Sequence, residues 1–151
     1  MTVYRNILLA LDVADPVNAD RAIDSAKLVA EASGAHVHLL HVRLTLPRTY
    51  ARLLPESFHA EEKKDCDEAM ERWAARLALP EGRVTRTLRR GSVAPEVLEE
   101  AEQRQADLIV LGSRAPTFGS RMMGSNASAI VRDAKVSVLV VRVDDDRVTD
   151  D

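Results

Sequence analysis

Apolar positions along the chain switch between two periods. Asn6-Ile-Leu-Leu-Ala-Leu11 is a nearly continuous apolar run, the pattern of a strand buried on both faces. Asp15 and Pro16 then supply a helix N-cap and a proline at the first helical position. Ala19, Ala22, Ile23, Ala26, Val29 and Ala30 recur at helical spacing, and Gly34 stands where a C-terminal cap belongs. His36 to Val42 (HVHLLHV) predicts the second strand, whereas Leu44 to Ser57 has two prolines and no period and reads as a loop. A long helix follows over Phe58 to Leu79, with Ala69, Met70, Trp73 and Leu77 as its core stripe and EEKKDCDE as a solvated face.

The third strand, Arg83 to Arg89, carries so many arginines that it belongs at a sheet edge. Ser92 is placed to cap the next helix, Pro95 falls within its first turn, and Val97, Leu98 and Ala101 face inward. Asp107-Leu-Ile-Val-Leu111 is a fully apolar fourth strand. After a glycine-rich loop, Ser125 to Ala134 forms a short helix with Ala127, Ile130, Val131 and Ala134 on one face, and Val136 to Val141 is the fifth strand. The order βαβαβαβαβ predicts an α/β fold: one doubly wound, Rossmann-like, five-stranded parallel sheet with helices on both faces and strand order 3-2-1-4-5. No linker or repeat interrupts it, so residues 1–143 read as one domain and the acidic DDDRVTDD of residues 144–151 as a disordered tail.

Composition narrows the function classes. A net charge of -3 and only five scattered aromatic residues speak against a nucleic-acid binder. A single cysteine, Cys66, excludes an intrachain disulfide, and no window reaches the ~18 apolar residues of a membrane span. The N-terminal segment lacks a signal-peptide layout, so a cytoplasmic protein without membrane insertion is expected. Asp65 and Asp67 beside Cys66 should raise its pKa and leave it unreactive. His36 and His38 share a strand face and His41 points the other way, with no third ligand in view for zinc. No metal site is expected.

In an open parallel sheet the ligand crevice lies beyond the carboxyl ends of the strands, where strand order reverses. Ala10-Leu11-Asp12, His41-Val42 and the loop from Gly112 reach that place. The chain has no Gly-Lys pair for a P-loop and no two glycines two apart for a dinucleotide fingerprint. A receiver domain would need acidic residues and a lysine that are missing, since only Asp12 is in place. Gly124-Ser125 opening a helix suits an anion: the N–H groups there are unpaired, the glycine admits a close approach and the serine adds a donor. Ser125 serves equally well as a plain helix cap.

Leu111-Gly112-Ser113-Arg114, then Gly124-Ser125-Asn126, then a Val-Leu-Val-Val strand resembles the universal stress protein family, as do Asn6 to Asp12, Leu39-Leu-His-Val42 and Gly91. The GSRxP…GSNAS form is most similar to the F and G subtype. The nucleotide-binding branch carries G-x2-G-x9-G-[ST]. Here Ala115 replaces the second glycine, eight residues rather than nine precede Gly124, and Gly119 lies between.

The resemblance implies an adenine-nucleotide (ATP, ADP or AMP, with Mg2+) binding regulator of the stress response. Ala10, Leu11, Asp12 and Val42 would frame adenine and ribose, Gly124 and Ser125 would take a phosphate, and Leu111, Gly112 and Asn126 would complete the nucleotide site. Arg114 and Arg121 are guanidinium candidates for phosphate. Nucleotide state would alter the loop 113–123 and its contacts with a regulatory protein partner. The fifth strand should be an edge yet is as apolar as a central strand, so a homodimer through residues 136–141 is expected, as the resemblance also implies. No dedicated general base stands out, so catalysis would be at most slow ATP hydrolysis or self-phosphorylation near Ser125. The alternative is a family member that binds no nucleotide and works through protein partners alone.

Overall fold

The computed structural model describes residues 3–13, 15–114 and 124–143, and for Arg114 and Val143 the backbone alone. Strand β1 (Asn6–Ala10) leads into α1 (Pro16–Ser33) and β2 (His36–Arg43); α2 (Arg48–Leu53) and α3 (Glu56–Leu77) precede β3 (Val84–Arg90); α4 (Val93–Gln103), β4 (Leu108–Arg114), α5 (Ser125–Asp133) and β5 (Ser137–Val143) complete the chain. The five strands form one parallel sheet in the order β3-β2-β1-β4-β5. The doubly wound topology is the one the alternating pattern predicts.

Strand β1 sits at the centre because it has no polar face to show to water. Ile7, Leu8 and Leu9 are fully buried, and alternate residues enter the two cores. Ile7 and Leu9 pack with Ala22, Ile23 and Ala26 of α1 and Met70 and Trp73 of α3. Leu8 packs with Val97 of α4 and Ile130 of α5. The small residues of α1 let the helix lie close on the sheet. Its ends are fixed as the sequence requires: the Asp15 carboxylate accepts the Asn18 N–H, and Gly34 turns the chain off in a left-handed conformation (φ 74°). Arg83 adds a tertiary cap by donating to the carbonyls of Ala30 and Ala35.

Several boundaries differ from the sequence reading. The predicted loop after β2 contains the short helix α2, which buries none of its residues; a helix without an apolar face leaves no period to detect. Ser92 stands at the N-cap of α4 without a side-chain hydrogen bond. Val131 is exposed, so the core face of α5 is Ala127 and Ile130. Cys66, expected on a solvated face, is buried in α3. Strand β4 runs on to Arg114, three residues past its apolar run, because Gly112, Ser113 and Arg114 stay in register with Val141, Arg142 and Val143. Residues 144–151, the proposed tail, lie outside the described residues, as do Ala115, Gly119 and Arg121.

The edge strand β3 hides a polar cluster that periodicity does not reveal. Glu100 of α4 is 2% exposed. It accepts hydrogen bonds from Arg89 and Arg104 and lies 3.2 Å from His38 Nε2. The His38 ring also meets the hydroxyls of Thr85 and Thr87. Burial alone would raise the Glu100 pKa, but the hydrogen bonds from Arg104 and Arg89 outweigh it and hold the carboxyl below its ordinary range. Burial lowers the His38 pKa, and the Arg104 charge lowers it further against the pull of Glu100.

Both groups bind a proton less readily folded than unfolded, so each contributes stability that is complete above its ordinary pKa and lost as pH falls. The unfolding temperature should therefore drop below pH 6.5, the ordinary histidine value, and drop further below 4.5, that of glutamate. His38→Gln removes the first part of this slope. Glu100→Ala, which leaves the Arg89 and Arg104 guanidinium groups without their shared acceptor, costs about 2–4 kcal/mol at neutral pH. Thermal melts from pH 8 to 4 check both; a flat profile would contradict the cluster's role.

Candidate functional site

The crevice is built by what happens after the carboxyl ends of β1, β2 and β4. Past Ala10, the Leu11 N–H still donates to the Leu40 carbonyl (2.9 Å), and the Leu11 carbonyl accepts from His41 Nδ1 (3.1 Å). A carbonyl can only accept, so this bond requires a proton on Nδ1. The Asp15 N–H then donates to the Asp12 carbonyl (3.1 Å), a tight turn that starts α1 directly at the crevice. Asp12 is exposed at this lip.

On the opposite side β4 carries Gly112 beside the first turn of α1. A Cβ at Gly112 would collide with the Asn18 side-chain amide, so a side chain here would force Asn18 to move; the constraint is one of space and not of backbone angles. The sequence reading placed Gly112 at a strand end; it lies inside the strand. Ser113, buried, accepts the Gly124 N–H (3.4 Å) and so ties the start of α5 to β4 across the intervening segment.

Gly124, and not Ser125, occupies the N-cap of α5, and among the described residues no side chain caps this end. The first intrahelical bond runs from the Ser128 N–H to the Gly124 carbonyl (2.9 Å). The N–H groups of Ser125, Asn126 and Ala127 precede it and are left open by the helix itself. Serine at the first helical position instead of the cap keeps its hydroxyl out of capping. Ser125 and Asn126 are exposed.

Between these walls lies a cavity of about 710 Å³, within the ~300–1,000 Å³ range of small-molecule sites. Ala10, Leu11, Asp12 and Val42 line it on the β1 and β2 side, and Leu111, Gly112 and Asn126 on the other. Seven of the eleven residues singled out in the sequence thus share one cavity, and Arg121 lies outside the described residues. Gly124 and Ser125 stand at its margin through their neighbour Asn126, and the Arg114 side chain lies outside the described residues. Sequence reading missed Asn18 on α1, Arg43 at the end of β2, and Phe58, Glu62, Asp65 and Cys66 on α3, all of which line the same cavity. The helical spacing of 58, 62, 65 and 66 was the available signal, obscured by the charges of EEKKDCDE. Cys66 has a raised pKa, chiefly through burial, with Arg43 opposing and Glu62, Asp67 and Asp65 adding to the rise. Among the described residues no group of three or more His, Cys, Asp or Glu side chains could hold a metal, and no helix is long and apolar enough to cross a membrane.

The sequence pattern of the Universal stress protein family matches residues 3–142. Universal stress protein G of Escherichia coli O157:H7 is 34% identical over 145 residues, covering 93% of this chain and all of that protein. Among solved structures, a universal stress protein in complex with cAMP superposes with a TM-score of 0.66 at 24% identity, covering 92% of this chain and 97% of that one. The universal stress protein from Archaeoglobus fulgidus in complex with dAMP gives 0.64 at 19% identity, covering 93% and 99%.

The contact between Gly112 and Asn18 yields a direct test. Gly112→Ala should destabilise the fold by about 1–3 kcal/mol through overpacking, and Asn18→Ala in the same chain should restore most of that loss. Denaturant midpoints of the two single variants and the double variant measure the coupling; strict additivity would contradict the contact.

Proposed function

Because this chain belongs to the Universal stress protein family, we propose that it binds an adenine nucleotide in the crevice beyond β1, β2 and β4 and acts as a stress-response regulator in the cytoplasm. One observation carries the reading: a cavity with an apolar body that ends at the open N–H groups of α5. A planar base suits the apolar body, where Leu11, Leu40, Val42 and Leu111 contribute to the lining. Phosphates suit the amino end of α5, where unpaired N–H groups and the helix dipole favour negative charge. Fold relatives that hold cAMP and dAMP support the class of ligand. Asp12 at the lip is suited to accept a hydrogen bond from a ribose hydroxyl, and Mg2+ would travel with the phosphates of ATP or ADP. The proposal is of binding and not of turnover, since the sequence offers no dedicated general base for Ser125.

The other element of the proposal is a homodimer. Strand β5 is hydrogen-bonded to β4 on one side and ends the sheet on the other, yet reads SVLVVRV. Partly buried Val138, Leu139, Val140 and Val141 leave apolar surface that would be an aggregation hazard at a bare edge. A second copy of the same strand covers it with the fewest new requirements.

Calorimetry with ATP, ADP and AMP in the presence of Mg2+ tests the nucleotide reading. Binding is expected for the wild type, with Ser125→Ala weakening it by about threefold to tenfold for loss of one donor. No binding at millimolar nucleotide would refute it and favour a family member acting through protein partners alone. Sedimentation at micromolar concentration should give twice the mass of the chain; a monomer would refute the β5 pairing.

A further inference from the structure

The stretch between β2 and α3 differs from the rest of the surface. Residues 43–55 (RLTLPRTYARLLP) hold three arginines and no acidic residue, in a protein whose net charge is -3. Helix α2 lies inside this stretch and buries none of its residues. Leu44, Tyr50 and Leu53 are exposed, Leu53 by 81%, and Phe58 follows them at the start of α3. Among the described residues the Arg48 and Arg52 side chains have no hydrogen-bond or ion-pair partner. Single exposed apolar residues are ordinary, but several gathered in one basic stretch mark an interaction surface. The surface borders the crevice, since Leu44 and Leu46 before α2 and Phe58 after it line the cavity. The Arg90 guanidinium donates to the Leu44 carbonyl (3.4 Å) and holds the stretch where it leaves the sheet.

The sheet brings a matching segment to this corner. Residues 144–151 (DDDRVTDD), which follow β5, carry five aspartates to one arginine, with Val148 among them. Leu40 and Leu111 share the row of Ala10, and Val140 pairs with Leu111. Arg43 at the end of β2 and Val143 at the end of β5 therefore stand three residues beyond that row, at the same carboxyl end of the sheet. Only β1 and β4 lie between them. Three strand spacings are about 14 Å, and the eight residues 144–151 reach about 27 Å when extended. The segment is long enough to span the crevice mouth and reach α2. We propose that residues 144–151 dock on α2 of the same chain as a strap across the crevice, with aspartates at Arg48 and Arg52 and Val148 against Tyr50 and Leu53. Each surface ion pair is weak, at most about 1 kcal/mol. A tethered segment acts at an effective concentration on the order of millimolar, so weak contacts suffice. The open N–H groups of α5, beside its path, favour the acidic strap, while Asp12 at the lip opposes it. The docking needs no ligand. Its consequence rests on the nucleotide reading above: the docked strap covers the mouth and competes with the phosphates, which makes it an autoinhibitory contact.

The test places a nitroxide on Thr149→Cys in the full chain, where buried Cys66 with its raised pKa stays unlabelled. The amide signals of Arg48–Leu53 are then read by NMR. They should be broadened by the label and recover at about 1 M salt, where the screening length falls to ~3 Å. Arg48→Glu with Arg52→Glu should remove the broadening. Adding Asp144→Lys, Asp145→Lys and Asp146→Lys to that chain should restore it, as a charge-swapped pair requires. In calorimetry, Asp144→Asn, Asp145→Asn, Asp146→Asn, Asp150→Asn and Asp151→Asn together should raise ATP affinity about threefold to tenfold, the gain expected when the strap covers most of the sites. Absence of broadening at α2 overturns the docking and leaves the face to a partner outside the chain. Broadening with unchanged ATP affinity in the asparagine variant overturns the autoinhibition. If the asparagine variant binds no ATP, the nucleotide reading fails, and the NMR result still decides the docking.

Discussion

Everything in this molecule depends on the parallel hydrogen bonding of β1 to β2 on one side and to β4 on the other. A strand whose residues alternate between two cores has no solvated face, so it must be central and must be covered by helices above and below. The chain leaves β1 through α1 to reach β2 and then β3, and has to return across the sheet to place β4 on the free side of β1. That reversal parts the connections at the carboxyl ends and opens the crevice. The site is a consequence of the topology before any side chain is chosen for it.

The two edges of the sheet solve the same problem in opposite ways. Strand β3 exposes polar residues, and its Thr85, Thr87 and Arg89 reach His38 and Glu100 beneath α4. This cluster replaces apolar packing with hydrogen bonds, all of which need partners at once, so it is sensitive to protonation in a way an aliphatic core is not. Strand β5 shows apolar residues and, among the described residues, no comparable polar cluster. The contrast within one sheet is the physical ground on which the proposed pairing rests at β5 and not at β3.

Within the crevice the two walls differ in kind. Around β4 and α5 the groups are backbone N–H and small side chains, with Gly112 held close to Asn18 and Gly124 tied to Ser113. Around β2 and α3 they are long, charged and partly unpartnered, with Arg43 and Glu62 facing an apolar recess. A fixed backbone wall suits a group common to many ligands, such as phosphate. A wall of side chains suits the part that distinguishes one ligand from another.

The sequence by itself determined the α/β class, the strand order, the ends of α1 and seven of the residues that share the cavity, because each of these is written in local periodicity, caps and motif spacing. Asp15, Pro16 and Gly34 act within a turn of where they stand, and the run Ile7 to Leu9 carries its own burial. Only the tertiary structure decided that Glu100 is buried, that Cys66 and Glu62 face a cavity instead of water, and that β4 continues through Gly112 to Arg114. In each case the deciding partner is distant in sequence: β3 and β2 for Glu100, β2 for the α3 residues, β5 for the end of β4. A charged residue in a helix looks the same to a periodicity argument whether it meets solvent or a buried counter-charge, and pairing with a neighbour can hold polar residues in a strand that their own composition would not.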